Sequence, residues 1–528
     1  MRFPAAYNAA VDLVDRHLAQ GRGGRLAYRD DRGSYSYAEL AQRVDGAGQA
    51  LRALGVGPEQ RVLLILLDTI DFVAVFLGAI KLGAVPVPVN TLLTSDDYAF
   101  FLRDSRARAV VVSDALVPGL EPALARLTPP PAVAVASSPH GGPHGGPHGG
   151  PSAGARGKYP RLDDLVARAP ATLAAAATTA DDVAFWLYSS GSTGTPKGAV
   201  HLHAHLMRTA ALYAQSVLGI EPDDLIFSAA KLFFAYGLGN ALTFPLSVGA
   251  AAVLSAGRPT PATVARVMRG HAPTIFCAVP TLFASLLADD DVRAHGLSPA
   301  LRVSTSAGEG LPAHVGQAWR ARFGSDILDG IGSTEMLHIF LSNRPGQVRY
   351  GTTGQPVPGY QLKLVGDDGE PVPDGEEGSL WVNGQTACSG YWNQRERSLA
   401  TFHGVWTRTG DRYRRDRDGY YNYAGRSDDM LKVGGVWVSP FEVEGALAAH
   451  PAVLEAAVVG APDADGLIKP KAFVVLKPGR APTPELDGEL KRFVKDRLAP
   501  FKYPRWIEVV DELPKTATGK IQRYKLRG

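Results

Sequence analysis

Short apolar runs of strand length alternate with longer stretches of helical period in the first part of the chain. Residues 61–67 (RVLLILL) form a continuous apolar run, and 71–82 repeat apolar positions at helical spacing. Residues 84–89 and 109–113 read as second and third strands, with a helix-like segment at 96–105 between them. Strands alternating with helices predict a parallel sheet covered on both faces. The alternation resumes after Val183, where 183–188 (VAFWLY) read as another buried strand, so two such sheets are predicted in one large domain. From 351 to 412 the runs shorten (QLKLV, SLWVN) and turns fall at Asp368-Gly369 and Asp374-Gly375, which predicts a β-rich subdomain. Strand-like runs at 456–460 and 472–476 and an amphipathic helix at 485–498 predict a separate small α/β unit at the end.

Length adds that 528 residues exceed one core, with about three or four folding units expected. A formal net charge of +3 is small for this length and gives no reason to expect a nucleic-acid or membrane partner. Cys277 and Cys388 are the two cysteines, too few for a disulfide framework and without metal-ligand spacing, so both are expected as reduced thiols. The apolar stretch 72–89 carries Lys81, Pro86 and Pro88 and reads as helix then strand, not as a membrane span. The first twenty residues lack a basic start, an apolar core and a small-residue cleavage site, so a cytoplasmic location is expected. Residues 139–151 (PHGGPHGGPHGGP) have nothing to bury and read as a disordered surface insertion. Its His140, His144 and His148 are read as incidental rather than metal-binding.

The candidate chemistry starts at residues 189–198, SSGSTGTPKG. Directly after a buried strand, three glycines and five hydroxyl residues form a loop whose N–H groups can surround polyphosphate oxygens, and Lys197 adds a point charge. It is not a Walker loop, because Gly191 lies six positions before Lys197, which Gly198 follows. Five more segments follow in order: SAGEGLP at 306–312, DGIGSTE at 329–335, TRTGDRY at 407–413, GRSDDMLKVGG at 425–435 and PKTATGK at 514–520.

Together the six segments resemble the acyl-adenylating superfamily of acyl-CoA synthetases, adenylation domains and luciferases, and most of all its benzoate–CoA ligases. The resemblance implies an α/β fold: an N-terminal domain over 1–427 and a mobile C-terminal domain over 428–528, hinged at Asp428. It implies ATP, Mg²⁺ and coenzyme A, with a small aromatic acid joined to AMP and then to CoA. Ser189, Ser190, Gly191, Ser192, Thr193, Gly194 and Lys197 would hold the β- and γ-phosphates. Thr334 would meet the α-phosphate and Glu335 would bind Mg²⁺. Gly308, Glu309 and the Asp329-Gly330-Ile331 backbone would flank adenine, with Asp411 and Arg426 on the ribose. Lys520 would be the catalytic lysine, its ammonium bridging carboxylate and α-phosphate; by analogy it is also an acetylation target. Lys432, Gly434 and Gly435 would line the pantetheine path after the small domain rotates.

For the acid pocket the resemblance points to Phe234, Ala235, Tyr236, Ala307, Gly332, His338 and Ile339, with Phe234 as an aromatic gate. His338 could hydrogen-bond a ring substituent, form the wall or simply pack; the wall is preferred. Unsubstituted benzoate is the expected substrate. Hydroxy- and aminobenzoates, a medium-chain acid, and an adenylating enzyme loading a carrier protein in trans stay open, as does a homodimer. His201, His203 and His205 (HLHAH) look like a metal string, but no nearby carboxylate or Cys completes a site, and structural or phosphate-adjacent roles are expected.

Overall fold

The computed structural model describes residues 1–139, 157–189, 196–426, 429–433, 436–463, 467–499, 502–515 and 521–527. The repeat histidines His140, His144 and His148 therefore lie outside the described residues.

Alternating strands and helices build two sheets. The smaller is all parallel, in the order Val85–Pro88, Arg61–Ile65, Ala109–Ser113, Ala132–Ala136. The larger has nine strands, six of them a parallel run from Asp326–Gly332 through Val303–Ser306, Ile275–Ala278, Leu225–Ser228 and Ala251–Val253 to Leu26–Asp30. Antiparallel strands close both its edges. The predicted alternation after Val183 departs from a parallel sheet at its first step. Val183–Ser189 and Lys197–Leu202 form an antiparallel hairpin, because seven intervening residues are too few for the crossover that parallel pairing needs.

The stretch that resembles a membrane span is a core helix, Ile70–Leu82, buried along its whole length, followed by the strand Val85–Pro88. A helix apolar on every side needs cover on every side. Its closest neighbour is Tyr37–Ala53: a Cβ on Gly78 would lie 2.6 Å from the Val44 carbonyl and 2.7 Å from the Gly48 nitrogen, so only glycine permits this approach. Lys81 meets Asp15 at 2.8 Å and Asp45 at 2.5 Å, which satisfies its buried ammonium.

Residues 361–426 form a five-stranded antiparallel sheet in which Trp406–Arg415 pairs with both Glu377–Asn383 and Tyr421–Arg426. At the C-terminal end Val453–Pro462, Ile468–Leu476 and Trp506–Val509 form a separate sheet with its own apolar core, covered by the helices Pro440–Ala448 and Leu486–Lys495. Cys277 and Cys388 are free and buried. Among the described residues no helix is long and apolar enough to cross a membrane.

Candidate active site

The hairpin register puts Ser189 opposite Lys197, at the open end from which residues 190–195 depart. His201, further along the second strand, aims Nε2 at the Thr334 carbonyl at 2.8 Å. This contact fastens the hairpin to the turn after Asp326–Gly332. Burial pushes the His201 pKa down to about 4, so the ring is neutral; a carbonyl can only accept, so Nε2 carries the proton. His205 Nδ1 lies 3.2 Å from His201 Nδ1, and His203 Nδ1 accepts the Ala9 N–H at 3.1 Å. The three histidines are thus tied into the framework, and among the described residues no cluster of three His, Cys, Asp or Glu could hold a metal ion.

Glu335, beside Thr334, gathers donors from two distant segments. Ser189 Oγ donates to its Oε1 at 3.4 Å and the Tyr391 hydroxyl at 2.7 Å. Lys197 Nζ in turn donates to the Tyr391 oxygen at 3.4 Å and sits 4.7 Å from the centroid of its ring. A single carboxylate on an open turn fits Mg²⁺, which takes one or two carboxylates and leaves its other positions to phosphate and water; it does not fit a metal caged by protein.

A second group lies around the large sheet's far end. Gly308, with φ +97°, and Glu309 follow the strand Val303–Ser306. Asp329 pairs with Ser306 in register, and Gly330 and Ile331 pair with Ser342 and Leu341. The Asp329 side chain is buried, which pushes its carboxyl well above the usual carboxylate range. Asp411 and Arg426 are register partners on adjacent strands, joined at 3.3 Å. Glu309 accepts the Ile521 N–H at 2.9 Å, so the C-terminal unit touches this group directly. Gly310 packs on the Phe441 ring.

The predicted acid-pocket residues also converge. Phe234 precedes the short helix Ala235–Leu238, its ring centroid 4.5 Å from that of Phe233. The Tyr236 hydroxyl shares a 2.7 Å hydrogen bond with Thr305, which ties the helix to the strand that ends just before Ala307. Gly332 and Ile339 are register partners. His338 is wedged between Phe244, Tyr213 and Tyr236, at ring distances of 4.5, 5.4 and 5.5 Å. Burial drives its pKa down to about 3. Nε2 lies 3.3 Å from the Tyr236 carbonyl and must carry the proton, which leaves Nδ1 as a buried lone pair with no protein partner. Two flanking stretches are π-helical, Ala210–Leu218 and Gly239–Thr243, a rare form that is frequent at functional sites.

Ser190, Gly191, Ser192, Thr193, Gly194, Asp428, Gly434, Gly435 and Lys520 lie outside the described residues. Lys432 is on the strand Leu431–Val433, opposite Trp437. Sequence reasoning missed Tyr391, which is 194 positions from Lys197 and 56 from Glu335. It also missed Asp68, whose carboxylate accepts the Leu232 N–H at 3.3 Å, and Lys231, whose Nζ donates to the Ser255 and Gly257 carbonyls at 2.5 and 2.7 Å. Tyr391 joins the Lys197 hairpin to Glu335, Asp68 and Lys231 fix the segment just before Phe234, and no local spacing marks any of the three.

The fold and this arrangement define an adenylate-forming architecture, and the chain belongs to the AMP-binding enzyme family. It matches that family over residues 15–392 and the AMP-binding enzyme C-terminal domain over 442–520. It is 57% identical to a benzoate–CoA ligase of Thauera aromatica, over 100% of this chain and 97% of that protein. It is 51% identical to a 4-hydroxybenzoate–CoA/benzoate–CoA ligase of Rhodopseudomonas palustris, over 99% and 94%. Among solved structures, a benzoate CoA ligase from Burkholderia xenovorans LB400 superposes with a TM-score of 0.90 at 52% identity, over 99% of this chain and 100% of that one. An anthranilate CoA ligase in complex with anthranoyl-AMP gives 0.93 at 43% identity, over 100% and 98%.

Proposed function

We propose that this chain is an ATP-dependent benzoate–CoA ligase working in two half-reactions. A benzoate oxygen attacks the α-phosphorus of ATP; an O–P bond forms, the bond to the leaving β-phosphate oxygen breaks, and benzoyl-AMP and pyrophosphate result. The CoA thiolate then adds to the benzoyl carbon, the bond to the AMP oxygen breaks, and benzoyl-CoA and AMP leave. Two anions must meet in the first step, so cations and aimed N–H groups carry most of the work.

The observation that carries this reading is the meeting of Ser189 and Tyr391 on Glu335 from separate segments of the chain, with Lys197 joined to it through the Tyr391 hydroxyl. In our assignment the 189–198 loop binds the β- and γ-phosphates, with Lys197 as its cation, and Thr334 faces the α-phosphate. Glu335 holds Mg²⁺, which when bound neutralises charge on the phosphates. Gly308, Glu309 and Asp329–Ile331 border adenine, while Asp411 and Arg426 receive the ribose. Lys520 orients the carboxylate against the α-phosphate. Asp428 is the hinge between a domain over 1–427 and one over 428–528, and after rotation Lys432, Gly434 and Gly435 border the CoA thiol's path.

Benzoate is favoured by the full-length similarity to benzoate–CoA ligases and by the aromatic enclosure around His338. The buried, unpartnered His338 Nδ1 lone pair supports 2-aminobenzoate as a secondary substrate in this reading, its amino group the donor. We assign the protein to the cytoplasm, and we carry a homodimer and acetylation of Lys520, which would remove its charge, as further parts of the reading. The test is carboxylate-dependent ATP–pyrophosphate exchange across aromatic and aliphatic acids. Benzoate should give the fastest exchange; faster turnover with octanoate would overturn the aromatic assignment, and ADP as product would overturn adenylation.

A further inference from the structure

The Tyr391 side chain stands between two opposite charges. Its hydroxyl donates to Glu335 Oε1 at 2.7 Å and accepts from Lys197 Nζ at 3.4 Å, and the ammonium also lies 4.7 Å from the ring centroid. The ring is buried and rests against Phe402 at a centroid distance of 5.3 Å. Its backbone N–H donates to Ser398 Oγ at 3.0 Å, and the residue bridges to Ala199, two positions after Lys197. A phenol carries its proton at neutral pH and a carboxylate can only accept, so the hydroxyl donates to Glu335. Among the described residues Lys197 and Glu335 meet through this hydroxyl and form no direct ion pair.

We propose that Tyr391 is a positioning residue that keeps Lys197 and Glu335 neighbours without letting them pair. An ammonium and a carboxylate on adjacent segments of a half-buried cleft attract strongly. Paired, each would spend its charge on the other. A phenol between them hydrogen-bonds both, orients both, and leaves the ammonium for a polyphosphate and the carboxylate for the divalent cation that accompanies it. This inference rests on the adenylate-forming reading given above.

The test is binding, not turnover. A non-hydrolysable ATP analogue is titrated by calorimetry into the full chain and into Tyr391→Phe, with and without Mg²⁺, and AMP is titrated in parallel. Tyr391→Phe keeps the ring and removes the bridging oxygen, so Lys197 can close on Glu335. The expected result is a loss of about tenfold or more in affinity for the analogue with Mg²⁺, while AMP affinity stays within about twofold. Equal binding of the analogue by both proteins would overturn the proposal, and so would a matching loss for AMP, which would mean general disruption. Wild-type protein that binds no analogue would instead refute the adenylate-forming reading. Should Tyr391→Phe not fold, 3-fluorotyrosine placed at position 391 gives a second measurement. Its fluorine resonance should move with the analogue plus Mg²⁺ and stay put with AMP; an unmoved resonance in both would overturn the proposal.

Discussion

Adding one methyl group at Gly239 tests whether His338 is a fixed wall of the acid pocket. A Cβ there would lie 2.3 Å from His338 Cδ2, 2.7 Å from its Nε2 and 3.1 Å from Phe244 Cζ. Gly239 lies within a right-handed helical turn, with φ −60° and ψ −58°, so alanine meets no backbone strain and the effect is steric alone. Ordinary van der Waals contact begins near 3.4 Å, so the imidazole must retreat by about 1 Å. Phe244, Tyr213 and Tyr236 already enclose it, and overpacking of such a site costs about 1–3 kcal/mol. If that cost falls on benzoate binding, Gly239→Ala raises the KM for benzoate by about 5- to 150-fold. The KM values for ATP and CoA should stay within about twofold. Gly488→Ala is the control: nothing lies within 4 Å of its Cβ, and in the helix Leu486–Lys495 it should stabilise by about 0.5–1 kcal/mol. Steady-state kinetics with each substrate varied, together with thermal unfolding, measure both. An unchanged benzoate KM in a folded Gly239→Ala protein would refute the claim that His338 is held rigidly against bound acid.

Lys520→Ala should lose most benzoyl-AMP formation yet retain much thioesterification of supplied benzoyl-AMP; single-turnover assays of each half-reaction decide, and equal losses would count against the lysine. Asp428→Pro should slow the second half-reaction more than the first, and an unaltered ratio of the two rates would remove the hinge. His201 and His203 are both pushed by burial from 6.5 to about 4, so the unfolded chain takes up protons below 6.5 that the folded one refuses. Stability should therefore be full above pH 6.5 and fall as the pH drops from there towards 4, read as the denaturant midpoint across pH 4–8. His338 Nδ1 stays an acceptor throughout that range, so the benzoate KM should show no transition near pH 6.5.

The pattern of apolar runs located most of the elements because burial on two faces leaves a direct mark on sequence: the run at 61–67 became Arg61–Ile65, and 109–113 became Ala109–Ser113. Strand direction was less legible. Nothing in VAFWLY says whether its partner returns immediately or after a crossover; the short connection to Lys197 decided it. The residues proposed for the acid pocket could be singled out only through resemblance, since Tyr236, Thr305 and His338 come together across more than 60 positions. Asp68 illustrates what pattern reading leaves out. A lone acid after an apolar run looks like the end of a strand, and its bond to the Leu232 N–H, 164 residues away, exists only once both sheets have packed. Glu309 was expected beside adenine; the structure adds a contact with the C-terminal unit through the Ile521 N–H.

The Glu309 contact has an evolutionary corollary. The carboxylate grips a main-chain amide, a group every amino acid but proline offers, so the identity of residue 521 is invisible to it. What selects the residue at 521 is the apolar cluster its side chain joins with Ala457, Val459, Phe473, Val475 and Leu513, whereas one proline there would abolish the grip. One such bond is worth only a few kcal/mol at most.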